Sequence, residues 1–325
     1  MFSERIFQHH NEASFEELAM EIFRFQAREN KVYAEFIHWL GRDPGAVIRL
    51  QEIPFMPIEF FKSHDVVSSS SVVQKTFLSS GTTGAHQSRH LVTDLKLYEE
   101  SFVRGFELFY GPVEQYTILA LLPSYLERGG SSLIHMVDNL IQKSGSADSG
   151  FYLHDLPGLR NRLLQLDAGK RKVLLLGVSY ALLDLLETGR LQLKNTLVME
   201  TGGMKGRRRE MVKEELHQVL CAGFGVKRIH SEYGMTELLS QAYSRGEGLF
   251  ETPPWMKVLI REPEDPFAYV VYGKTGGINV IDLANVNSCS FIATQDLGRS
   301  YGENSFRVMG RFDQSDIRGC NLMVV

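Results

Sequence analysis

Apolar residues recur at helical spacing along the first part of the chain, between Ser14 and Leu40. Polar residues fill the positions between them, which is the pattern of an amphipathic helix. Ser14 followed by Glu17 forms a capping box that predicts the start of this helix, and Gly41 predicts its end. The spacing therefore predicts one long helix or two consecutive ones. The apolar positions are Phe15, Leu18, Ala19, Ile22, Phe23, Phe25, Val32, Tyr33, Phe36, Ile37 and Leu40.

Strands and helices alternate through the middle of the chain. They follow the segment Ile53–Ile58, in which two closely spaced prolines exclude a regular helix. Alternation of this kind predicts an α/β fold with a mainly parallel sheet covered on both faces. Lys143–Gly150 is rich in serine and glycine and predicts a loop. The predicted strands are Tyr116–Leu122, Lys172–Val178, Thr196–Glu200 and Val226–Ile229, and the predicted helices are Ser131–Lys143, Ala181–Thr188 and Lys205–Leu220.

The pattern changes after Phe250, where the apolar segments become short and are separated by turn residues. Such spacing predicts an antiparallel sheet or a small barrel. We therefore divide the chain into a helical N-terminal layer (1–70), a first α/β subdomain (71–190), a second α/β subdomain with the β portion (191–305) and a C-terminal tail (306–325). The short strand candidates are Val258–Ile260, Tyr269–Tyr272, Ile278–Ile281, Phe291–Ala293 and Phe306–Met309.

Composition and charge exclude several classes of protein. The 325 residues carry a net charge of −4, which gives no reason to expect binding to nucleic acid or to an anionic membrane surface. The three cysteines, Cys221, Cys289 and Cys320, lie too far apart to suggest a disulfide framework or a zinc site. The N-terminus lacks the apolar run of a signal peptide, and no apolar run is long enough to span a membrane. A reducing, cytoplasmic location fits these features best.

A loop rich in glycine and hydroxyl residues follows the strand that ends at Phe77-Leu78. Glycines let the backbone approach a polyanion closely, and the amide and hydroxyl groups can donate hydrogen bonds to it. The pattern differs from a Walker loop because Gly-Lys-Ser/Thr is absent. It predicts a phosphate-binding loop, and a polar hairpin turn is the alternative. The loop consists of Ser79, Ser80, Gly81, Thr82, Thr83 and Gly84.

Three further motifs follow this loop in a fixed order: Tyr233–Glu237 (YGMTE), Thr294–Gly298 (TQDLG) and Gly310–Asp313 (GRFD). Together the four motifs resemble those of the adenylate-forming superfamily of acyl-CoA synthetases, peptide-synthetase adenylation domains and luciferases. Nearly the whole chain is similar to the LuxE acyl-protein synthetase family, with phenylacetate-CoA ligase a more distant relative. The LuxE-like stretches are Glu21–Gln26, Ile53–Ile58, Phe60–Lys62, Leu122–Gly129 and Glu200–Arg207.

This resemblance implies a fold and a set of ATP-binding roles. The fold is the N-terminal domain of an adenylate-forming enzyme, with two stacked α/β subdomains, a small β-barrel-like portion and the mobile C-terminal domain missing. The glycine-threonine loop would close over the β- and γ-phosphates of ATP. Tyr233 would stack against adenine, Thr236 would lie near the α-phosphate, and Glu237 would help to hold a magnesium ion (Mg²⁺). Asp296 would accept hydrogen bonds from the ribose hydroxyls.

Other positions receive roles from the same resemblance. Gly202 and Gly203, between a strand and a helix, would border the adenine and acyl pockets, and Gly234 belongs to the adenine motif. Arg311 would reach the ribose or the phosphates, with an exposed surface arginine as the alternative. His135 would lie near the carboxylate substrate, with a packed helix residue as the alternative.

Cys320 lies five residues before the end of the sequence. In the LuxE family a cysteine near the C-terminus takes the acyl group as a thioester, and a thiolate attacking a mixed anhydride with AMP as leaving group is sound chemistry. The loop lysine of the superfamily is missing, and Arg89 is a candidate to replace its charge. The resemblance places the catalytic lysine of the superfamily in a C-terminal domain that we expect this chain to lack, so His86, Arg89, Arg311 or a partner protein would have to stabilise the reacting phosphate.

The resulting hypothesis is an AMP-forming ligase that uses ATP and Mg²⁺. It would activate a carboxylic acid, a fatty acid by resemblance, as acyl-AMP and transfer the acyl group to Cys320 or to an acceptor protein such as a reductase or carrier. One alternative is an acyl- or aryl-CoA ligase that delivers the acyl group to CoA. The other is a nucleotide-binding subunit without chemistry of its own.

Overall fold

The computed structural model describes residues 2–8, 10–68, 71–79, 87–123, 130–202, 208–209, 211–302 and 304–312. The helices are α1 (Ser3–Ile6), α2 (Glu12–Glu29), α3 (Lys31–Trp39), α4 (Phe60–Ser63), α5 (Leu95–Tyr110), α6 (Ser132–Ser144), α7 (Leu156–Asp167), α8 (Ser179–Glu187) and α9 (Lys213–Phe224). The strands are β1 (Met56–Pro57), β2 (Lys75–Leu78), β3 (Arg89–Val92), β4 (Tyr116–Leu121), β5 (Gly150–Phe151), β6 (Lys172–Val178), β7 (Thr196–Thr201), β8 (His230–Tyr233), β9 (Ala242–Ser244), β10 (Phe250–Glu251), β11 (Met256–Arg261), β12 (Thr275–Asp282), β13 (Phe291–Ser300) and β14 (Ser305–Arg311).

Twelve strands of the described part form one mixed sheet. Its order is β11-β12-β13-β14-β10-β9-β8-β7-β6-β4-β5, with β1 paired to β13, while β2 and β3 form a separate hairpin. Strands β5, β4, β6, β7 and β8 are parallel neighbours, and the neighbours from β8 through β9 and β10 to β14, β13, β12 and β11 are antiparallel. The α/β fold with a parallel part in the middle of the chain and an antiparallel part after Phe250 is thereby confirmed.

The parallel strands are buried because their sequences are almost continuously apolar. All six residues of β4 and six of the seven in β6 are buried. A strand that is apolar on both sides must be covered on both faces, which is the situation of a parallel sheet between helices. Helix α6 packs on β4, α7 and α8 pack on β6, and α8 also packs on α9. The predicted domain boundary at 190/191 falls between β6 and β7, which are hydrogen-bonded neighbours in this sheet.

The N-terminal layer consists of two helices, and its start differs from the prediction. The side chain of Asn11 accepts a hydrogen bond from the Ser14 amide at 2.9 Å, and the Ser14 hydroxyl accepts one from the Asn11 amide at 3.0 Å. Ser14 is therefore the third helical residue of the capping box, and the N-cap lies three residues earlier than predicted. Asn30 ends α2 and caps α3, since its side chain accepts a hydrogen bond from the Tyr33 amide.

A buried amide attaches α2 to the segment that precedes β13. Gln26 is fully buried, and its Nε2 donates to the carbonyl oxygens of Asn285 and Val286 and to the Ser290 hydroxyl. Its Oε1 accepts from the Ser290 amide at 2.9 Å. Every polar atom of this side chain is thus used, as a buried amide requires.

Several predicted elements have other boundaries. The strand predicted at Val226–Ile229 is the lead-in to β8, which starts at His230 because pairing with β7 begins there. Helix α9 begins at Lys213, later than predicted. Tyr269–Tyr272 is not a strand, since only Tyr269 makes a single bridge to Arg261. Helices α5 and α7 had not been predicted. No helix in the described ranges is long and apolar enough to cross a membrane.

Candidate functional site

Three of the sequence motifs meet at the carboxyl end of β8. Tyr233 is the last residue of β8, and its hydroxyl donates to Asp296 Oδ2 at 2.9 Å. Arg311 Nε lies 3.2 Å from the other carboxylate oxygen, Oδ1, because Asp296 and Arg311 face each other across β13 and β14. The ring of Tyr233 packs against the rings of both Phe250 and Phe306, with centroid distances of 5.8 and 5.4 Å. The fold therefore joins residues that lie 63 and 15 positions apart in the chain.

Burial and the neighbouring polar groups have opposite effects on the pKa of Asp296. Burial raises the pKa of its carboxyl, while the Arg311 guanidinium and the Tyr233 hydroxyl favour the ionised form. Arg311 itself is largely exposed, with 72% of its side chain accessible. A carboxylate accepts several hydrogen bonds, so Asp296 keeps acceptor capacity beyond these two partners. This geometry suits a ligand that carries hydroxyl groups.

Glu237 is a second buried carboxylate in the same region. It is only 5% exposed, and burial raises the pKa of its carboxyl, against the opposing influence of Ser88, Lys62 and Arg311. Among the described residues no group of three or more His, Cys, Asp or Glu side chains could hold a metal ion. A single carboxylate nevertheless fits Mg²⁺, which binds through one or two carboxylates and completes its shell with phosphate oxygens and water.

The turn between Tyr233 and Glu237 is fixed by side chains from three other elements. His90 on β3 binds the Thr236 carbonyl oxygen through Nδ1 at 2.7 Å. Asn285 donates through Nδ2 to the Glu237 carbonyl oxygen at 2.8 Å. Just after the turn, the buried carboxylate of Asp282 accepts hydrogen bonds from the amides of residues 239 and 240 and from the hydroxyl of residue 240. The turn is therefore a rigid part of the site.

The lack of space around position 234 explains why a glycine stands there. A Cβ there would lie 2.3 Å from Glu232 Oε1, so any other residue would displace that carboxyl. Glu232 is 8% exposed, and the hydroxyl of Thr201 at the end of β7 donates to its Oε2. Burial raises the pKa of Glu232 to about 7. Sequence reasoning did not single out Glu232 or Thr201.

The structure describes only the base of the predicted phosphate loop. The Ser79 amide donates to the Ser88 carbonyl at 3.0 Å, and the Ser88 amide donates to the Ser79 hydroxyl at 2.9 Å, so the two residues close the loop above the β2–β3 hairpin. Ser88 is 2% exposed and lies beside Glu237. The loop base therefore adjoins the turn at Glu237. Residues Ser80, Gly81, Thr82, Thr83 and Gly84, and also His86, lie outside the described ranges and stay predictions.

The cations near the site differ from the expected ones. Arg89, the candidate replacement for the missing loop lysine, is paired with Asp65 at 3.0 Å, and both side chains are about half exposed. Lys62 on α4 lies close enough to Glu237 to lower the pKa of that carboxyl. Lys62 ends one of the LuxE-like stretches of the sequence, but the resemblance assigns it no role. Lys62 is consequently a second candidate for a phosphate-binding cation.

The glycine turn after β7 is described only at its first residue. Gly202 has a φ of +65°, a left-handed conformation that favours glycine, and its carbonyl oxygen accepts from the Ser179 hydroxyl at 3.1 Å. Gly203 lies outside the described residues. The turn stands at the carboxyl edge of the parallel strands, next to β8, where ligands of α/β folds bind.

His135 lies apart from the carboxylate cluster. Its Nε2 is 3.2 Å from Glu99 Oε1 and its Nδ1 is 3.3 Å from Lys75 Nζ, so the neutral ring donates to the glutamate and accepts from the lysine. Its ring packs against Phe77 and Tyr98. Burial and the charge of Lys75 lower its pKa. These contacts attach His135 to β2, the strand that leads into the phosphate loop, and its substrate role stays a prediction.

The two described cysteines are poor nucleophiles. Cys289 is fully buried, and burial raises the pKa of its thiol to about 12. Burial also raises the pKa of the Cys221 thiol on α9. A thiol with a raised pKa holds little of the reactive thiolate at neutral pH. Cys320 lies outside the described residues.

Comparison with solved structures identifies the fold. MatB from Rhodopseudomonas palustris, solved with ATP bound, has a TM-score of 0.55 and 17% identity over 73% of this chain. 2-Hydroxyisobutyryl-CoA ligase, solved in an open conformation with 2-HIB-AMP and CoA, has a TM-score of 0.64 and 14% identity over 93% of this chain. O-succinylbenzoate CoA synthetase (MenE) from Bacillus subtilis, solved with ATP and magnesium, has a TM-score of 0.50 and 17% identity over 75%. The chain has the fold of the N-terminal domain of adenylate-forming enzymes.

The similarity covers these enzymes unequally. The chain spans 47% of MatB, 51% of MenE and 70% of the 2-hydroxyisobutyryl-CoA ligase. No protein-family model matches the sequence, and no curated protein shows a significant match. At these identities the likeness establishes the fold, and the activity has to be argued from the site.

Proposed function

We propose that the protein activates a carboxylic acid with ATP, releasing pyrophosphate and forming acyl-AMP. The observation that carries this proposal is the convergence of Tyr233, Asp296 and Arg311, joined at 2.9 and 3.2 Å, beside the turn that ends in Glu237. Buried carboxylates with remaining acceptor capacity suit a ribose and a metal-bound triphosphate. The ligases of the same fold solved with ATP or with an acyl-AMP support this assignment.

The chemistry assigns each residue a task. A carboxylate oxygen of the acid attacks the α-phosphorus of ATP, and the bond from that phosphorus to the pyrophosphate oxygen breaks. Asp296 would accept hydrogen bonds from the ribose hydroxyls. Tyr233, whose ring packs against Phe250 and Phe306, would stack against the adenine. Thr236 and Arg311 would contact the phosphates, and Glu237 would hold Mg²⁺. When bound, Mg²⁺ offsets the negative charge of the phosphates.

The acyl acceptor in this proposal is a thiol. A thiolate attacks the acyl carbon, the bond to the AMP oxygen breaks, and AMP leaves with its electron pair. Cys320 is the candidate within the chain, since both described cysteines carry raised pKa values. The other candidate acceptor is a separate protein, such as a reductase or a carrier, and the candidate substrate is a fatty acid. Both rest on the resemblance of the sequence.

CoA is the competing acceptor. The 2-hydroxyisobutyryl-CoA ligase, which shares the fold over 93% of this chain, was solved with CoA bound. A ligase of that kind would form the same acyl-AMP and differ only in the second step.

The first experiment tests acid activation. The protein is incubated with MgATP, labelled pyrophosphate and a panel of short, aromatic and long-chain carboxylic acids, and label entering ATP is measured. We expect acid-dependent exchange, and Glu237→Gln should lower its rate by a factor of about 100 or more, as expected when a metal ligand to the reacting phosphates is lost. Absence of exchange with every acid, in a folded protein that binds ATP, would refute the proposal.

The second experiment identifies the acceptor. With an accepted acid and MgATP, intact-mass measurement should show one acyl group that hydroxylamine removes, and Cys320→Ser should abolish it. Cys221→Ser is the matched control, because it removes a thiol whose pKa burial raises. Formation of acyl-CoA at the same rate by the Cys320→Ser variant would instead favour CoA as acceptor.

A further inference from the structure

His90 lies between two parts of the site and has no role in the predicted chemistry. It is 1% exposed on β3, and its ring meets the Phe61 ring edge to face at 5.6 Å. Its Nδ1 lies 2.7 Å from the Thr236 carbonyl oxygen. A carbonyl oxygen can only accept, so Nδ1 carries the proton and donates it to this bond.

His90 and Asn285 together hold the end of the turn. Thr236 and Glu237 are consecutive, and their two carbonyl oxygens are bound by His90 and by Asn285, at 2.7 and 2.8 Å. Asn285 is fully buried and stands beside the His90 ring. The carbonyl groups of Thr236 and Glu237 are therefore fixed by buried side chains, which leaves the backbone at these two residues little freedom to rotate.

The strand that carries His90 also closes the predicted phosphate loop. Ser88 and His90 are two residues apart and both buried, while Arg89 between them is exposed, which is the alternation of a strand. Ser88 exchanges backbone and hydroxyl hydrogen bonds with Ser79 at the loop base. A short, extended piece of backbone thus connects the loop base directly to the turn that ends in Glu237.

We infer that His90 is a positioning residue that couples the described base of the predicted phosphate loop, Ser79 and Ser88, to the Thr236–Glu237 turn and so sets where the Glu237 carboxylate stands. The inference rests on the proposed function for its catalytic consequence, whereas the coupling itself is a property of the fold. Burial lowers the pKa of His90 to about 4, so the ring is neutral at physiological pH and acts through its hydrogen bond alone.

Three variants test this inference in the pyrophosphate exchange assay. His90→Leu removes the donor, His90→Asn retains an amide donor close to the position of Nδ1, and His230→Leu removes a partly buried imidazole from β8. We expect His90→Leu to lower kcat by a factor of about 10–100, as small misplacements of catalytic groups do, with the KM for ATP changed by less than about threefold. His90→Asn should restore kcat to within about fivefold of the wild type, and His230→Leu should leave it within about twofold.

Two results would overturn the inference. One is a folded His90→Leu variant whose kcat stays within twofold of the wild type. The other is an equal loss of kcat in the Leu and Asn variants, which would mean that the hydrogen bond to the Thr236 carbonyl is irrelevant.

Amide hydrogen exchange of residues 235–240 separates this inference from the proposed activity. If the wild type shows no exchange of pyrophosphate with any acid, the proposed function fails but the coupling can still be judged. Faster amide exchange in His90→Leu with protection retained in His90→Asn supports the coupling. Unchanged protection in His90→Leu refutes it.

Discussion

At the scale of single residues, Asp296 shows how the site combines burial with charge. Without Arg311 and the Tyr233 hydroxyl, burial alone would favour the protonated carboxyl. The two partners favour the ionised form and also orient it, since each binds a different oxygen. The remaining acceptor positions are then available for a ligand.

Asp296→Asn tests this arrangement. The amide keeps the size but loses the charge, so hydrogen bonds to ribose hydroxyls should weaken by about 1.5–3 kcal/mol, a 10- to 100-fold increase in the Kd for ATP. Titration with ATP followed by calorimetry measures the change. Asp184→Asn, on a surface ion pair with Arg208, is the control and should leave the Kd unchanged. A Kd for the Asp296→Asn variant equal to that of the wild type would exclude Asp296 from ATP binding.

The raised pKa of Glu232 predicts that the free energy of unfolding depends on pH. The pKa of its carboxyl is about 7 in the folded protein, compared with an ordinary value of 4.5. Between these values the folded protein holds a proton that the unfolded chain has released, so the free energy of unfolding falls as the pH rises. Glu232→Gln does not titrate. It should therefore gain stability relative to the wild type between pH 5 and pH 8, by about 1–3 kcal/mol.

Denaturant unfolding at both pH values measures this difference. Glu264→Gln changes an exposed carboxylate and should follow the wild-type curve at both pH values. Equal stability differences at pH 5 and pH 8 for Glu232→Gln would contradict the prediction.

At the scale of elements, two irregularities shape the antiparallel strands that carry Asp296. The β12–β13 pairing shifts register between Gly277 and Asn279, and the β13–β14 pairing shifts between Leu297 and Gly298. The partly buried guanidinium of Arg261 lies at the first irregularity, where it donates to the carbonyl oxygens of residues 278 and 294 and to the side chain of Asn279. Bulges of this kind redirect side chains, and here one adjoins Asp296.

Gly298→Ala tests the second irregularity. A Cβ at Gly298 would lie 2.6 Å from Ile278 Cγ1 and 3.1 Å from the Arg307 carbonyl oxygen. We expect a loss of about 1–3 kcal/mol in the free energy of unfolding, as for other overpacked sites, together with weaker ATP binding because the neighbouring Asp296 shifts. Denaturant unfolding and ATP titration measure the two effects.

Gly302→Ala is the matched control. Among the described residues, a Cβ there would meet the Ser305 hydroxyl alone, at 3.3 Å, so stability should change by less than about 0.5 kcal/mol. Equal stability of the two alanine variants would show that the β13–β14 irregularity tolerates a side chain.

Helices and strands could be predicted from the sequence where the local hydrophobic pattern is strong. Strand β6 was predicted with its observed boundaries because a continuous apolar run has one interpretation once helices flank it. The strand predicted at Val226–Ile229 lies just before the observed β8. The residues of β8, His230–Tyr233, are mostly polar, and their place in the sheet is set by pairing with β7 and β9. Tyr269–Tyr272 has the composition of a strand but lacks a partner beyond one bridge. Pairing, which decided these cases, is not encoded locally.

At the scale of the whole molecule, the site illustrates the same limit. Tyr233, Asp296 and Arg311 could be named from motifs, because their spacing and order resemble a known superfamily. Lys62 and His90 could not, since their significance arises from contacts with residues that lie about 150 or more positions later. No pattern in their own segments indicates those contacts. The motifs thus indicated most residues expected to touch the nucleotide but neither the candidate cation Lys62 nor His90, which holds the Thr236 carbonyl oxygen.

His90 and His230 should each destabilise the folded protein in mild acid, opposite in sign to the contribution of Glu232. The pKa values of His90 and His230 are about 4 in the folded protein, compared with an ordinary value of 6.5. Between pH 6.5 and pH 4 the unfolded chain takes up protons that the folded protein does not, so the contribution of these two histidines to the free energy of unfolding falls as the pH falls. Each histidine should contribute about 1–3 kcal/mol to this loss.

Unfolding of the His230→Asn variant at pH 7 and pH 5 measures the contribution of one of them. From pH 7 to pH 5 its free energy of unfolding should change less unfavourably than that of the wild type, by about 1–3 kcal/mol, whereas His38→Asn, which changes an exposed histidine, should follow the wild type. A change in His230→Asn equal to that of the wild type would contradict the prediction.

The attachment of α2 through Gln26 has a consequence for the order in which the chain can fold. The partners of Gln26 lie 259 to 264 residues further along the sequence. At a synthesis rate of about 5–20 residues per second, they emerge from the ribosome some 10–50 s after Gln26. During that interval α2 can pack on α3, but Phe23 lacks the ring of Phe291, with which it is in contact at a centroid distance of 6.0 Å. Incomplete chains should therefore be prone to aggregation, and the N-terminal helices should be the segment that chaperones contact first.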